Sequence, residues 1–216
     1  MLVKIALGLL WLSFAVYAFF LAPPDRPDTL DLIIDLSTGK WRGINPLIIT
    51  LFNLMGIWPI LYTSVMLVDG RARKIPAWPF ALGSFAVGAF AILPYLVFRQ
   101  PEGDFTGEKN WILKVWDSRF VGAIAFLGAS ALFAYGLIAG DWTDFGQQWR
   151  SSRFINVMSL DFCLLTLLFP IFLRDDLDRR GIDNPFLFWS VSLVPVLGPA
   201  LYAIARPPLP DKLNQT

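Results

Sequence analysis

The sequence contains no histidine and one cysteine, Cys163, among its 216 residues. Without histidine, the chain cannot supply histidine ligands to haem, zinc, copper or chlorophyll, or a Ser-His-Asp or Cys-His catalytic pair. One cysteine cannot build a disulfide framework or a cysteine-based metal site within one chain. No Walker loop, dinucleotide fingerprint, paired carboxylate or nucleophile elbow occurs. We therefore predict a non-enzymatic protein without a metal or cofactor, and leave contact with lipid or carotenoid open.

Charge is also scarce, since Asp, Glu, Lys and Arg make up 16% of the chain and the net charge is +1. A soluble domain has about 25% charged residues. This small net charge gives no basic field, so we predict no nucleic-acid partner. Charged residues lie mainly between long apolar blocks, a pattern that is typical of a chain embedded in lipid.

Six apolar blocks approach or reach the roughly 20 helical residues that cross a bilayer. Their apolar residues are continuous rather than alternating, which favours helices over a barrel. The sequence therefore predicts an all-α integral membrane bundle of six transmembrane helices. The predicted spans are 2–22, 46–68, 77–98, 120–140, 155–173 and 185–205.

A series of landmarks occurs twice in the same order, which indicates an internal duplication. Each series has Trp-Arg, Asn-x-Met, a charged loop, Pro-Phe, a late proline and Arg-x-Pro. Because the repeated unit would contain three spans, the second copy would enter the bilayer from the opposite side and form an inverted repeat. We predict a first three-helix repeat at 1–101, an interfacial linker at 102–117, a second three-helix repeat at 118–208 and a polar tail at 209–216.

The candidate intramembrane polar site consists of Asp161, Asn156 and Asn53. Asp161 is an ionisable residue within a predicted span, where a charged group is costly and is by default a functional hypothesis. It would serve as a proton or cation site, or as a carboxylate near the interface that bonds a neighbouring helix. Asn53 and Asn156 would either bond across helices or line a polar cavity between the repeats.

Two Trp-Arg pairs precede the second and fifth spans and are candidate lipid-headgroup anchors. The indole ring and the guanidinium group both suit the headgroup level, and Arg can also contact a phosphate. The pairs are Trp41-Arg42 and Trp149-Arg150. Between the first two spans, TLDLIIDL places apolar and acidic residues on different sides, which predicts a short helix on the bilayer surface.

The stretch FNLMGIWPILYTSVML, followed by KIPAWPFALGSFAVGAFAILPYLVF, resembles an uncharacterised family of polytopic membrane proteins from cyanobacteria and plastids. The resemblance implies a thylakoid or plasma membrane of a phototroph, and no established activity. It favours an accessory or assembly factor that binds membrane lipids, pigments or other proteins of a photosynthetic membrane. The alternative is a small inverted-repeat transporter or channel for an ion or small solute. The distribution of acidic and basic loop residues favours both termini in the cytoplasm.

Overall fold

The computed structural model describes residues 1–69, 75–100 and 111–208. Every regular element in these ranges is helical, which confirms the predicted all-α class. The helices are α1 (Leu2–Val16, extended by a π-helical turn at Tyr17–Leu21), α2 (Thr29–Thr38), α3 (Pro46–Asp69), α4 (Trp78–Val87), α5 (Ala89–Phe98), α6 (Trp111–Trp116), α7 (Arg119–Ala139), α8 (Trp142–Ser151), α9 (Arg153–Arg179), α10 (Pro185–Leu193) and α11 (Leu197–Ala205).

Four of the described helical segments are long and apolar enough to cross a membrane. They are Leu2–Leu21, Pro46–Val68, Arg119–Ala139 and Arg153–Arg179. These segments match four of the predicted spans and suggest a protein that is embedded in a membrane.

The third predicted span, 77–98, is a hairpin of two short helices rather than one long helix. Gly88 separates α4 from α5. The rings of Phe80 and Tyr95 lie 5.4 Å apart between centroids, whereas fifteen residues of continuous helix would separate them by about 22 Å. An ideal Cβ on Gly83 would lie 3.3 Å from the Cβ of Ala91. Helices α4 and α5 therefore fold back against each other.

The sixth predicted span, 185–205, is interrupted in a similar way between α10 and α11. Val196, just before α11, has a φ of 62°, a left-handed conformation that is rare for a β-branched residue. An ideal Cβ on Gly198 would lie 2.3 Å from the carbonyl oxygen of Val191, so the two short helices meet closely at the break. Arg206, at the end of α11, reaches Asp176 near the end of α9, with 3.3 Å between nitrogen and oxygen.

The prediction of continuous spans at 77–98 and 185–205 is therefore wrong. An apolar run of about twenty residues has the composition of one long helix, but it also suits two short helices that bury each other. Each hairpin begins and ends at the same end of the bundle. The count of six spans, and the inverted repeat that depends on it, are not confirmed.

Polar contacts identify the two ends of the bundle. At one end, called the first face, Lys4 at the start of α1 donates a hydrogen bond to the carbonyl oxygen of Arg99 after α5, at 2.6 Å. Arg99 also pairs with Asp175 near the end of α9, at 2.6 Å. At the other end, called the second face, Asn45 before α3 donates to the carbonyl oxygen of Asp141 after α7, at 2.7 Å.

Helices α3 and α9 form the centre of the bundle and pack against each other. Their aromatic side chains fill the space between them, and Trp58, Tyr62, Phe169 and Phe172 are almost completely buried. Trp58 lies 5.7 Å from Phe169 between ring centroids. Helices α1 and α7 lie further out and leave many apolar side chains exposed, as expected of surfaces that contact lipid.

Helix α2 confirms the predicted helix at TLDLIIDL, although its position on a bilayer surface stays a prediction. A second amphipathic helix, α8, was not predicted. Asp141 caps α8 by accepting hydrogen bonds from the backbone N–H groups of Thr143 and Asp144. The predicted linker at 102–117 lies mostly outside the described residues, as does the whole tail at 209–216, and the division into repeats at 1–101 and 118–208 stays a prediction.

Candidate functional site: a groove that contains Asp161

Asp161 lies on α9, eight residues after the helix begins at Arg153, or roughly 12 Å along its axis. Its side chain is buried, and the whole residue is 6% exposed. Oδ1 accepts a hydrogen bond of 2.7 Å from the backbone N–H of Ala89, the first residue of α5. A helix N-terminus carries unpaired N–H groups and a partial positive charge. The carboxylate therefore fastens the tip of the α4–α5 hairpin to the central helix α9.

The tip of this hairpin requires glycine. Gly88 has a φ of 52° and a ψ of −125°, which favours a residue without a side chain. An ideal Cβ at this position would lie 1.9 Å from Oδ2 of Asp161. The absence of a side chain thus lets the carboxylate approach the hairpin backbone directly.

Asp161 lines a groove of about 740 Å³ between α1, α3, the hairpin and α9. This volume is within the range of about 300–1,000 Å³ that is common for small-molecule sites. The walls are mainly apolar and include five phenylalanine rings. These rings belong to Phe19, Phe52, Phe85, Phe90 and Phe154.

The mouth of the groove lies at the second face and is polar. Asp25, Thr29 and Arg153 line it. Arg153 pairs with Asp25 at 2.9 Å and also donates from Nε to the carbonyl oxygen of Pro23 at 3.0 Å. The mouth therefore holds a neutralised ion pair, while the inner end holds a carboxylate.

Asn156 and Asn53, which the sequence grouped with Asp161, make different contacts. Asn156 is buried, accepts a hydrogen bond from the hydroxyl of Tyr17 at 2.9 Å and donates to the carbonyl oxygen of Trp149 at 3.1 Å. It thus joins α9 to the π-helical turn after α1. Asn53 is partly exposed and donates to the carbonyl oxygen of Ile49 in its own helix at 2.7 Å. Neither asparagine lines the groove beside Asp161.

The predicted headgroup anchors lie near the second face. Trp41 follows α2 and donates from its indole nitrogen to the carbonyl oxygen of Leu36 at 3.1 Å. Trp149 lies in α8 and packs partly buried against a small apolar cluster that includes Ile48 and Ile155. Arg42 and Arg150 are exposed. These positions are compatible with anchoring, which stays a prediction.

A buried ion-pair network at the first face was not predicted. Asp176 accepts hydrogen bonds from Nε of Arg180 at 2.8 Å and from the hydroxyl of Tyr202 at 2.7 Å. Arg180 also pairs with Asp117 at 2.7 Å, and Arg206 with both carboxylates at 3.3 Å. Burial lowers the pKa of Arg180, but its carboxylate partners outweigh this and raise the pKa above the usual value. The network joins the ends of α9 and α11 to the start of α7.

Within residues 1–69, 75–100 and 111–208, no group of three or more His, Cys, Asp or Glu side chains could hold a metal ion. Searches with the whole chain find no matching protein-family model, no matching curated protein and no matching solved structure.

Proposed function

We propose that the chain crosses the membrane four times, with two re-entrant hairpins, and is built as two parallel repeats. Several helix boundaries support this arrangement because they recur 107 positions later. Helices α3 and α9 begin at Pro46 and Arg153, and α4 and α10 begin at Trp78 and Pro185. Helices α5 and α11 end at Phe98 and Ala205, each followed directly by an arginine.

The packing of the helices also supports two parallel repeats. Helix α5 packs on α1, as α11 packs on α7, and α4 packs on α3, as α10 packs on α9. Each unit would contain two crossings and a hairpin that returns to its own side. An even number of crossings gives both units the same direction, with a pseudo-two-fold axis along the membrane normal.

Labelling of single cysteines tests this topology in membrane vesicles. In a Cys163→Ser background, Pro76→Cys and Gln100→Cys should react with an impermeant maleimide from the same side, because the hairpin enters and leaves at one face. Asp31→Cys should react from the opposite side. Labelling of Pro76→Cys and Gln100→Cys from different sides would mean that the segment between them crosses the membrane.

We further propose that the protein is a non-enzymatic accessory protein that binds an apolar or amphipathic molecule in the groove at Asp161. The observation that supports this role most is the groove itself, an aromatic space of about 740 Å³ with one buried carboxylate. The centre between α3 and α9 is filled with buried aromatic side chains, which favours a binding role over a central pore. Two of the groove-lining rings, Phe19 of the π-helical turn after α1 and Phe85 of α4, are exposed and extend the apolar wall to the outside of the bundle.

The interrupted helices support transport as a second candidate function. Re-entrant hairpins place non-helical backbone at membrane depth, an arrangement that transporters use at their binding sites. This observation favours transport as the second candidate function. In proteoliposomes, solute flux that wild-type protein supports and an empty vesicle does not would favour this alternative.

Co-purification tests the binding role. The protein would be purified from its native membrane, and extracted small molecules would be identified by mass spectrometry. We expect one class of apolar or amphipathic molecule to be enriched with the wild-type protein and lost in Val157→Trp, because the larger ring would fill the groove. Leu160→Trp, on the same helix but away from the groove lining, is the matched control. No enrichment, or equal enrichment in Val157→Trp, would contradict the proposal.

The location in a phototroph membrane, the cytoplasmic termini and the photosynthetic partners stay predictions from the sequence. They fit an accessory protein that holds a lipid or pigment, because such molecules are abundant in those membranes. The groove is compatible with that class of molecule through its apolar walls.

A further inference from the structure

We propose that the molecule in the groove is a lipophilic cation whose positive charge lies beside Asp161. This inference rests on the proposed binding role and specifies the class of ligand. It follows from the partners of the carboxylate, from the chemistry of the walls and from the charges at the mouth.

The first observation is that the carboxylate is incompletely paired. A carboxylate can accept about four hydrogen bonds, and among the described residues Asp161 accepts one, from the N–H of Ala89. No arginine or lysine in that part of the chain forms an ion pair with it. The N-terminus of α5 contributes only about half a positive charge. A cationic ligand would supply the missing partner.

The second observation is the aromatic character of the groove. The faces of phenylalanine rings carry partial negative charge and attract cations within about 6 Å of the ring centroid. Five such rings line the groove with Asp161. Their apolar bodies suit a ligand whose charge is attached to large hydrophobic groups, rather than a small hydrated ion.

The third observation is that the groove offers little to an anion. Arg153 is the cation among the lining residues, and it lies at the mouth, where Asp25 already pairs with it. The inner end therefore keeps a net negative potential. A ligand of the same shape with negative charge should be rejected, because like charges in a poorly solvated site repel strongly.

Two ions of nearly identical shape and opposite charge test this inference. Tetraphenylphosphonium and tetraphenylborate would be titrated into wild-type protein in lipid nanodiscs, with protein-free nanodiscs as the baseline. We expect saturable binding of tetraphenylphosphonium and no saturable binding of tetraphenylborate. Saturable binding of tetraphenylborate at equal affinity would overturn the inference, and this comparison requires no variant.

Asp161→Asn then tests the negative charge by itself. The substitution removes the charge, while the amide oxygen can still accept the hydrogen bond from Ala89 and hold the hairpin tip. Affinity for tetraphenylphosphonium should fall by about tenfold or more, as expected when a poorly solvated charge loses its partner. Asp178→Asn, on the same helix but exposed and outside the groove lining, should leave the affinity within about twofold, because surface charges contribute little. Equal affinity in Asp161→Asn and wild type would contradict the inference.

The outcomes separate this inference from the proposed function. If a neutral molecule co-purifies with the protein and neither ion is preferred, the cationic ligand is wrong while the binding role stands. If no molecule co-purifies and neither ion binds, both proposals fail.

Discussion

Gly88→Ala is expected to lower the free energy of unfolding by about 3 kcal/mol or more, because two costs combine. The added Cβ would lie 1.9 Å from Oδ2 of Asp161, too close for any real contact. Its backbone, with a φ of 52° and a ψ of −125°, is also strained for a residue with a side chain. Either the carboxylate or the hairpin tip must move, and the bond from Ala89 to Asp161 breaks with that movement.

Reversible unfolding in mixed detergent micelles, followed by circular dichroism, measures this effect. Gly56→Ala is the matched control, because Gly56 lines the same groove and an added Cβ would meet no atom within 4 Å. We expect the control to be neutral or slightly stabilising, since alanine favours the helix. If Gly88→Ala and Gly56→Ala behave alike, the hairpin tip does not contact Asp161 as described.

Asp176→Asn is the second change with a large expected effect, about 3–5 kcal/mol of lost stability. The carboxylate of Asp176 is completely buried and neutralises two buried cations, Arg180 and Arg206. Without its charge, Asp117 remains as a single carboxylate between two guanidinium groups. An unpaired buried charge is far more costly than the pair was favourable.

The same unfolding assay applies, with Asp178→Asn as the control. Asp178 lies two residues further along the same helix and is exposed, so its replacement removes the same formal charge at little cost. An Asp176→Asn protein as stable as the control would mean that the network does not hold the ends of α9 and α11 together. Both variants remove one negative charge, so a difference in stability between them cannot come from the change in net charge.

The sequence predicted the four long helices well because continuous apolar runs of bilayer length are a strong signal. It failed for the hairpins, since hydropathy does not distinguish one helix of twenty residues from two of ten. The late prolines of the landmark series, Pro94 and Pro199, lie within α5 and α11 rather than at the breaks. Gly88 occupies the first break, and Pro195 and Val196 lie in the second. Glycine and proline are also frequent inside transmembrane helices, so these residues do not distinguish a break from a continuous span.

The candidate site was predicted in part. Asp161 was selected because an ionisable residue within a span needs a partner. Its partner is the backbone N–H of Ala89, which no residue type in the sequence identifies. The motif series aligned Asn53 with Asn156, 103 positions apart, whereas the helix boundaries differ by 107. At that spacing Asp161 corresponds to Leu54, so the repeated half would lack the carboxylate. The network of Asp117, Asp176 and Arg206 joins residues that are too far apart in sequence for a pattern to group them.

If each unit crosses the membrane twice, as proposed, the chain has a simple route of origin. A polypeptide with an even number of crossings keeps both of its ends on one side, so a tandem fusion needs no reversal of insertion. The ancestral half could have assembled as a side-by-side homodimer, with α3 and its counterpart as the dimer contact. A homodimer would contain the carboxylate in both copies. After fusion, a substitution such as Asp161 would arise in one half only.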